Sequence, residues 1–396
     1  MSVEGTDDVG EGFRPPDRLR ELPEYPLADA PEITARLREA GRDVIDLGAG
    51  DPGLPVPEAA IRTLRAAAGD PGLQGYAFQR GLPEYREAVA DWMERRFGRR
   101  PDPERQVLPL LGSKDGVAHL SAAVLDPGER VLVPDPGYAA CPGGARLAGA
   151  RLERARLRPE NDFRVPPDRI READGPLGLV YLNYPNNPTG ATVDRGYLED
   201  VVEACRERDA VLAWDNPYAE VYYGDEPPPG LLEVEDGPRA GVEFHSFSKG
   251  FNMTGWRLGW ACGTAGVLDA LARVKSFYDT GVFLPVQAAG AAALREGEDY
   301  LRENRARLRR RRDAAVEAFR RVGFEVRPPE ATLYLWMPVP DGSDAADFTR
   351  RVLEEAAVLL MPGSALGRGG EGWVRAALAE PPERYAEAAD RLSGLW

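Results

Sequence analysis

The sequence predicts an α/β protein, a mainly parallel sheet with helices on both faces, accompanied by a smaller α+β unit. Two observations carry this. From about Gln106 to Gly263, short apolar runs alternate with amphipathic helical stretches, as strands buried on both faces and linked by crossover helices do. From Gly323 onward, strand-like runs mix with helices without that regular alternation. A chain of 396 residues, 43% hydrophobic and 29% charged, suits two domains or one large core with a satellite.

The elements follow in order. Residues 1–12, MSVEGTDDVGEG, are acidic with no apolar core, which argues against a secretory signal and for a disordered leader. Pro31–Leu47 reads as a helix and then a short strand, VIDL, leading into GAGDPG. The strand candidates are QVLPLL (106–111), RVLVPD (130–135), ARLERARL (150–157), GLVYLNY (178–184), AVLAWD (210–215), GVEFHS (241–246) and RLGWAC (257–262). Helical patterns such as Asp115–Leu125 and Tyr197–Arg208 lie between them. Pro285–Arg321 is Ala/Arg/Glu-rich with helical periodicity, so long helices are expected there. Beyond Gly323, FEV, TLYLWMPV, VLLMP and WVRAAL read as strands, and Ala345–Ala357 and Pro382–Leu392 as helices. The expected division is a large domain over 48–285 and a small one built from 13–47 with 286–396.

Composition excludes several classes. A net charge of −15 and a pI near 4.9 argue against nucleic-acid or anionic-membrane binding. No apolar run approaches the ~20 residues of a membrane span. Cys141, Cys205 and Cys262 are widely spaced, which fits buried thiols in a reducing cytoplasm and no disulfide framework. With only His119 and His245 present, neither in a supporting context, no metal site or Ser-His-Asp relay is expected. Lysine occurs only at Lys114, Lys249 and Lys275, so each asks whether an amine is chemically needed.

In such sheets ligands sit beyond the carboxyl ends of the strands. After 106–111 comes Gly112-Ser113-Lys114, small residues opening a helix, where backbone N–H groups and the helix dipole favour phosphate. After 130–135, Tyr138 follows Pro136-Gly137; after 178–184, Asn186 and Asn187 lie between prolines. Asp215 ends an apolar strand and Tyr218 follows it. Ser246 and Lys249 close the next, with Arg257 eight residues on. Each has a plainer reading: a Ser N-cap, a packed tyrosine, turn chemistry, an Asp N-cap, a surface lysine. Together they offer a phosphate cradle, a stacking ring, an amide, a carboxylate, a phenol and an amine. That set suits an anionic planar heterocycle with a cationic nitrogen and an aldehyde, such as pyridoxal 5′-phosphate.

The motifs GSKDGVAHL, PDPGY, LNYPNNPTGA, WDNPYAEVYY and HSFSKGFNMTGWRLGW strongly resemble the class I/II, fold-type-I aminotransferases, in the family's order. The resemblance runs from about Leu22 to Trp396 and includes IDLGAGDPG, GYAFQRGLPEYREAVADW and GEGWVRAALA. GSKDGVAHL and FNMTGWRLGW look most like the branch of LL-diaminopimelate aminotransferases and their aspartate-aminotransferase-like relatives. The resemblance implies a ping-pong exchange between an L-amino acid and a 2-oxo acid, with glutamate and 2-oxoglutarate as the shared pair.

It also implies roles. Lys249 resembles the Schiff-base lysine, Asp215 the partner of the pyridine nitrogen, and Tyr218 and Asn187 the donors to the ring's O3′. Tyr138 resembles the stacking ring; Ser113, Lys114, Ser246 and Arg257 the phosphate cradle. Arg375 resembles the clamp on the substrate α-carboxylate, which the Gly48 backbone also approaches. Tyr76 resembles the tyrosine lent to the phosphate by a neighbouring subunit, implying a homodimer. Two departures matter: Ala139-Ala140-Cys141 make a small wall after PGY, and 276–282 lack the distal arginine of main-group aspartate aminotransferases. C–S lyases and other β-eliminating enzymes use the same residues and stay open as an alternative. Transcription regulators with such a domain carry a DNA-binding module in front, which this acidic chain does not suggest.

Overall fold

The computed structural model describes residues 14–22 and 27–396. The leader expected over 1–12 lies outside them.

All seven expected strands form one sheet: β1 (Val107–Leu110), β2 (Arg130–Asp135), β3 (Arg151–Arg156), β4 (Leu179–Asn183), β5 (Val211–Asp215), β6 (Gly241–Ser246) and β7 (Gly259–Gly263). Their spatial order is β1-β7-β6-β5-β4-β2-β3. Only β7 runs against its neighbours, β1 and β6; every other pairing is parallel.

Alternate side chains point to opposite faces of a strand, and both faces here are buried. Val131, Val133, Leu179 and Tyr181 pack with Leu120 and Leu268 on one side. Leu132, Val180, Leu182 and Trp214 pack with Leu198, Val201 and Cys205 on the other. This is why the central strands read as continuous apolar runs. The edge strand β3, RLERAR, buries only Ala155, and its charges discourage pairing with a further strand.

A second antiparallel sheet is formed by β8 (Tyr334–Pro338), β9 (Met361–Pro362) and β10 (Trp373–Ala377), with β10 in the middle. The VIDL segment contributes Ile45–Asp46, which pairs in parallel with Val358–Leu359. Helices Ala345–Ala356 and Pro382–Leu392 bury Phe348 and Tyr385 against this sheet together with Phe319.

Two expectations need refinement. The helical stretch after Pro285 is two helices, Leu284–Glu296 and Glu298–Arg321, parted at Gly297. A Cβ there would lie 2.3 Å from the Ala293 carbonyl oxygen and 2.8 Å from the Phe251 ring, so only glycine fits the junction. Phe324–Val326 forms no strand. The Val326 carbonyl is taken by Arg320, whose Nε and Nη2 donate to it at 3.0 and 2.7 Å.

Candidate active site

The carboxyl ends of β1, β2, β4, β5 and β6 open on a cavity of about 320 Å³. Its walls bring together Ser113, Lys114, Tyr138, Asn187, Asp215, Tyr218, Ser246, Lys249, Arg257 and Arg375. Strand ends far apart in sequence therefore converge as the parallel topology demands.

One wall is built for an anion. Gly112 has φ 81°, the left-handed region, and turns the chain from β1 into helix Ser113–Val124. A Cβ at Gly112 would lie 2.7 Å from Arg257 Nη2, so glycine is what admits the guanidinium beside the helix start. Arg257 also has positive φ, 53°. Its Nη1 donates to the Thr254 carbonyl at 2.7 Å and its Nη2 to the Leu111 carbonyl at 3.2 Å. The Ser246 hydroxyl accepts the Ser248 N–H at 3.2 Å. An arginine, hydroxyls and a helix start lining one cavity could hold a phosphate.

Asp215 is 1% exposed, and its Oδ1 has no donor among the described residues. Asn183, its register partner on β4, donates from Nδ2 to the Asp215 carbonyl at 2.7 Å and lies 3.5 Å from Oδ2. Burial pushes the Asp215 carboxyl up to about 7. A buried carboxylate without a partner is costly, so the site fits a ligand that brings a cationic N–H to it. Tyr138 lines the same cavity, its phenol pushed up by burial.

Lys249 Nζ donates to the Gly50 carbonyl of the GAGDPG loop. That loop is shaped by Asp46, whose Oδ1 accepts Gly48 N–H at 2.9 Å and Ala49 N–H at 3.2 Å. The Tyr218 hydroxyl donates to that of Tyr334 at 3.2 Å. Burial alone would raise the Tyr334 phenol, but the charges of Lys249 and Arg375 and the Tyr218 bond outweigh it and lower it.

Arg375 is 4% exposed; its Nη1 donates to Asn187 Oδ1 at 3.0 Å and its Nη2 to the Gly48 carbonyl at 2.8 Å. Its Nε has no acceptor among the described residues. Neutral oxygens hold the fork while its charge is left for a carboxylate. With Oδ1 engaged by Arg375, Asn187 keeps Nδ2 as the donor for a ligand.

Residues 42–392 match the family described as aminotransferase class I and II. The chain belongs to that family. It is 44% identical to the LL-diaminopimelate aminotransferase of Moorella thermoacetica, over 95% of this chain and 96% of that one. It is 39% identical to the enzyme of the same name from Nitratidesulfovibrio vulgaris, over 97% and 99%. Among solved structures, a probable N-succinyldiaminopimelate aminotransferase from Thermus thermophilus superposes with a TM-score of 0.86 at 36% identity, over 93% and 99%. A mutant aspartate aminotransferase from Thermus thermophilus gives 0.89 at 30% identity, over 96% and 99%.

The protein is thus an aminotransferase, an enzyme that moves an amino group between an L-amino acid and a 2-oxo acid; the eliminating alternative is not favoured. Of the positions singled out in its sequence, Gly48 joins the site through its carbonyl on Arg375. Tyr76 does not line this cavity: it is 75% exposed beside Phe78.

Sequence reasoning missed Tyr334, Asn183 and Asp46. Tyr334 had one available signal: in TLYLWMPV it is a polar-tipped residue on a strand otherwise written for burial. Elsewhere in the aminotransferase Glu243, His245 and Cys262 meet inside the sheet. Glu243 is already engaged there, accepting from Asn216 Nδ2 at 2.9 Å and Leu231 N–H at 2.8 Å, so the group reads as internal structure.

Proposed function

We propose that this aminotransferase works with pyridoxal 5′-phosphate held in the cavity at the strand ends, as one of two shared sites in a homodimer. The observation that carries the reading is a pair of unsatisfied buried groups in one cavity. Asp215 Oδ1 lacks a donor, as a pyridinium would supply, and Arg375 Nε lacks an acceptor, as an α-carboxylate would.

When bound, the cofactor supplies an electron sink for the electron pair left at the substrate's Cα. The chain's own residues do the rest. Ser113, Lys114, Ser246, Arg257 and the helix start bind the phosphate, with Tyr76 of the neighbouring subunit completing the cradle. Asp215 would hold a proton on the ring nitrogen, Tyr138 would lie against the ring, and Asn187 and Tyr218 would orient it. Arg375, braced by the Gly48 carbonyl, holds the α-carboxylate, which turns Cα toward Lys249. Lys249 Nζ takes the proton from Cα.

The relatives' names support LL-diaminopimelate as a donor; 2-oxoglutarate as acceptor follows from the family resemblance. No arginine occupies 276–282 to read a second carboxylate as a main-group aspartate enzyme would. Three buried free cysteines support a reducing, cytoplasmic location.

Borohydride reduction of the protein saturated with pyridoxal 5′-phosphate tests the reading. The label is expected on the peptide carrying Lys249; labelling at Lys114 or Lys275 would overturn it.

A further inference from the structure

Of the three lysines, Lys114 and Lys249 line the cavity and Lys275 does not. Lys275 is nonetheless 1% exposed, with its ammonium on two carboxylates, Asp115 and, at 2.8 Å, Asp279. An ion buried this way persists only when its partners are well placed, so the position of those partners says what the lysine is for.

Asp115 is the third residue of helix Ser113–Val124. Its Oδ2 accepts the Leu111 N–H at 3.0 Å, reaching back across the Gly112 turn, and its Oδ1 meets His119 Nδ1 at 2.9 Å. The Leu111 carbonyl in turn accepts from Arg257 Nη2. Leu111 is therefore gripped on its N–H by Asp115 and on its carbonyl by Arg257, and the turn between them presents Ser113. On the other side, the Asp279 carbonyl accepts Gln79 Nε2 at 2.8 Å, and its carboxylate accepts the Gly281 N–H at 2.7 Å. Gln79 lies in the loop that carries Tyr76.

We infer that Lys275 is a positioning residue for the phosphate of the proposed cofactor. It touches no ligand; it fixes Asp115, and with it the turn at Leu111–Ser113 that sets the helix start. It also cancels the Asp115 charge, which would otherwise oppose the positive helix terminus just where a dianion must sit. Through Asp279 the same ammonium anchors the loop bearing Tyr76. An apolar residue at 275 would fill the space and do neither.

This rests on the cofactor reading above, and the test separates the two. Cofactor-free protein is titrated with pyridoxal 5′-phosphate and with unphosphorylated pyridoxal, following the absorbance of the bound aldehyde. For Lys275→Met, affinity for the phosphate ester is expected to fall at least tenfold while pyridoxal changes less than about twofold. Equal losses for both aldehydes, or no loss for either, would overturn the inference, the first because it marks a general folding defect. If Lys275→Met does not fold, Asp115→Asn is read by the same ratio, since it leaves Lys275 paired one-to-one with Asp279. Wild-type protein that binds neither aldehyde would instead sink the cofactor reading.

Discussion

Arg375 and Tyr334 are diagonal neighbours on the antiparallel strands β10 and β8, and the guanidinium carbon lies 4.1 Å from the centre of the tyrosine ring. Arg375 pairs in register with Trp336, and Tyr334 lies two residues away on the same face. A cation over an aromatic face is attracted to it and held flat. The fork is thus fixed from below by the ring and from its rim by Asn187 and Gly48.

Arg375→Lys should weaken donors and acceptors alike. A lysine ammonium keeps the charge but loses the planar, two-bond geometry. Charge-assisted hydrogen bonds contribute about 1.5–3 kcal/mol, so KM should rise roughly ten- to a hundredfold for both substrates. Lys249 should still be labelled by borohydride in the variant. A change in KM for only one substrate would show that Arg375 does not hold their shared carboxylate.

Asp215→Asn should retain the cofactor and lose most turnover, because a neutral amide cannot hold the pyridinium proton. It also carries a pH signature in cofactor-free protein. The folded carboxyl titrates near 7 because it is buried, well above the usual carboxylate range. Between about pH 4 and 7 the folded state therefore keeps a proton that the unfolded chain has released. Stability contributed by the protonated group is full below about pH 4 and is lost as pH rises through 7. Three pH units correspond to roughly 4 kcal/mol at most. Urea unfolding of wild type and Asp215→Asn should agree near pH 4 and diverge by pH 8, with the asparagine variant the more stable. Parallel stability curves would mean that Asp215 has a partner in the empty protein.

Much of this was legible because the signals were local. The central strands are apolar on both faces, and the chemistry-bearing residues come directly after them, so a reading of strand ends finds Asp215, Lys249 and Tyr138. What escaped depends on register across strands. Asn183 matters because β4 and β5 align it with Asp215, and Tyr334 because β8 and β10 set it diagonal to Arg375. Phe324–Val326 misled because an apolar triplet carries no sign that Arg320 will occupy its carbonyl. Lysine scarcity flagged Lys275, but only the fold reveals that its amine faces two carboxylates.

The shared-site proposal is tested by mixing subunits. Tyr76 is exposed on the chain that carries it, whereas Arg257 lines that chain's own cavity. Tyr76→Phe and Arg257→Ala should each weaken phosphate binding. If they act from opposite subunits, a hybrid dimer holds one intact site and should be more active than either parent. A hybrid no better than its parents, with subunit exchange verified, would put both residues in the same site.

If Arg375 holds the α-carboxylate as proposed, substrate choice is set at the end of the pocket remote from it. Every amino acid presents the same α-carboxylate there, so that contact lowers KM without discriminating. The device for a second carboxylate would be a cation in 276–282, and that stretch reads SFYDTGV. The nearest lysine, Lys275, is already committed to Asp115 and Asp279. Glutamate with 2-oxoglutarate, the pair the family resemblance implies, should react, and LL-diaminopimelate, the donor in the relatives' names, should serve at least as well as aspartate. Aspartate itself should do no better than alanine or an aromatic amino acid. The measurement is conversion of the bound cofactor in single half-reactions across a donor panel. Aspartate preferred by more than about tenfold, roughly 1.4 kcal/mol of transition-state discrimination, would require a distal cation. Since 276–282 has none to offer, that cation would have to come from another element or from the neighbouring subunit.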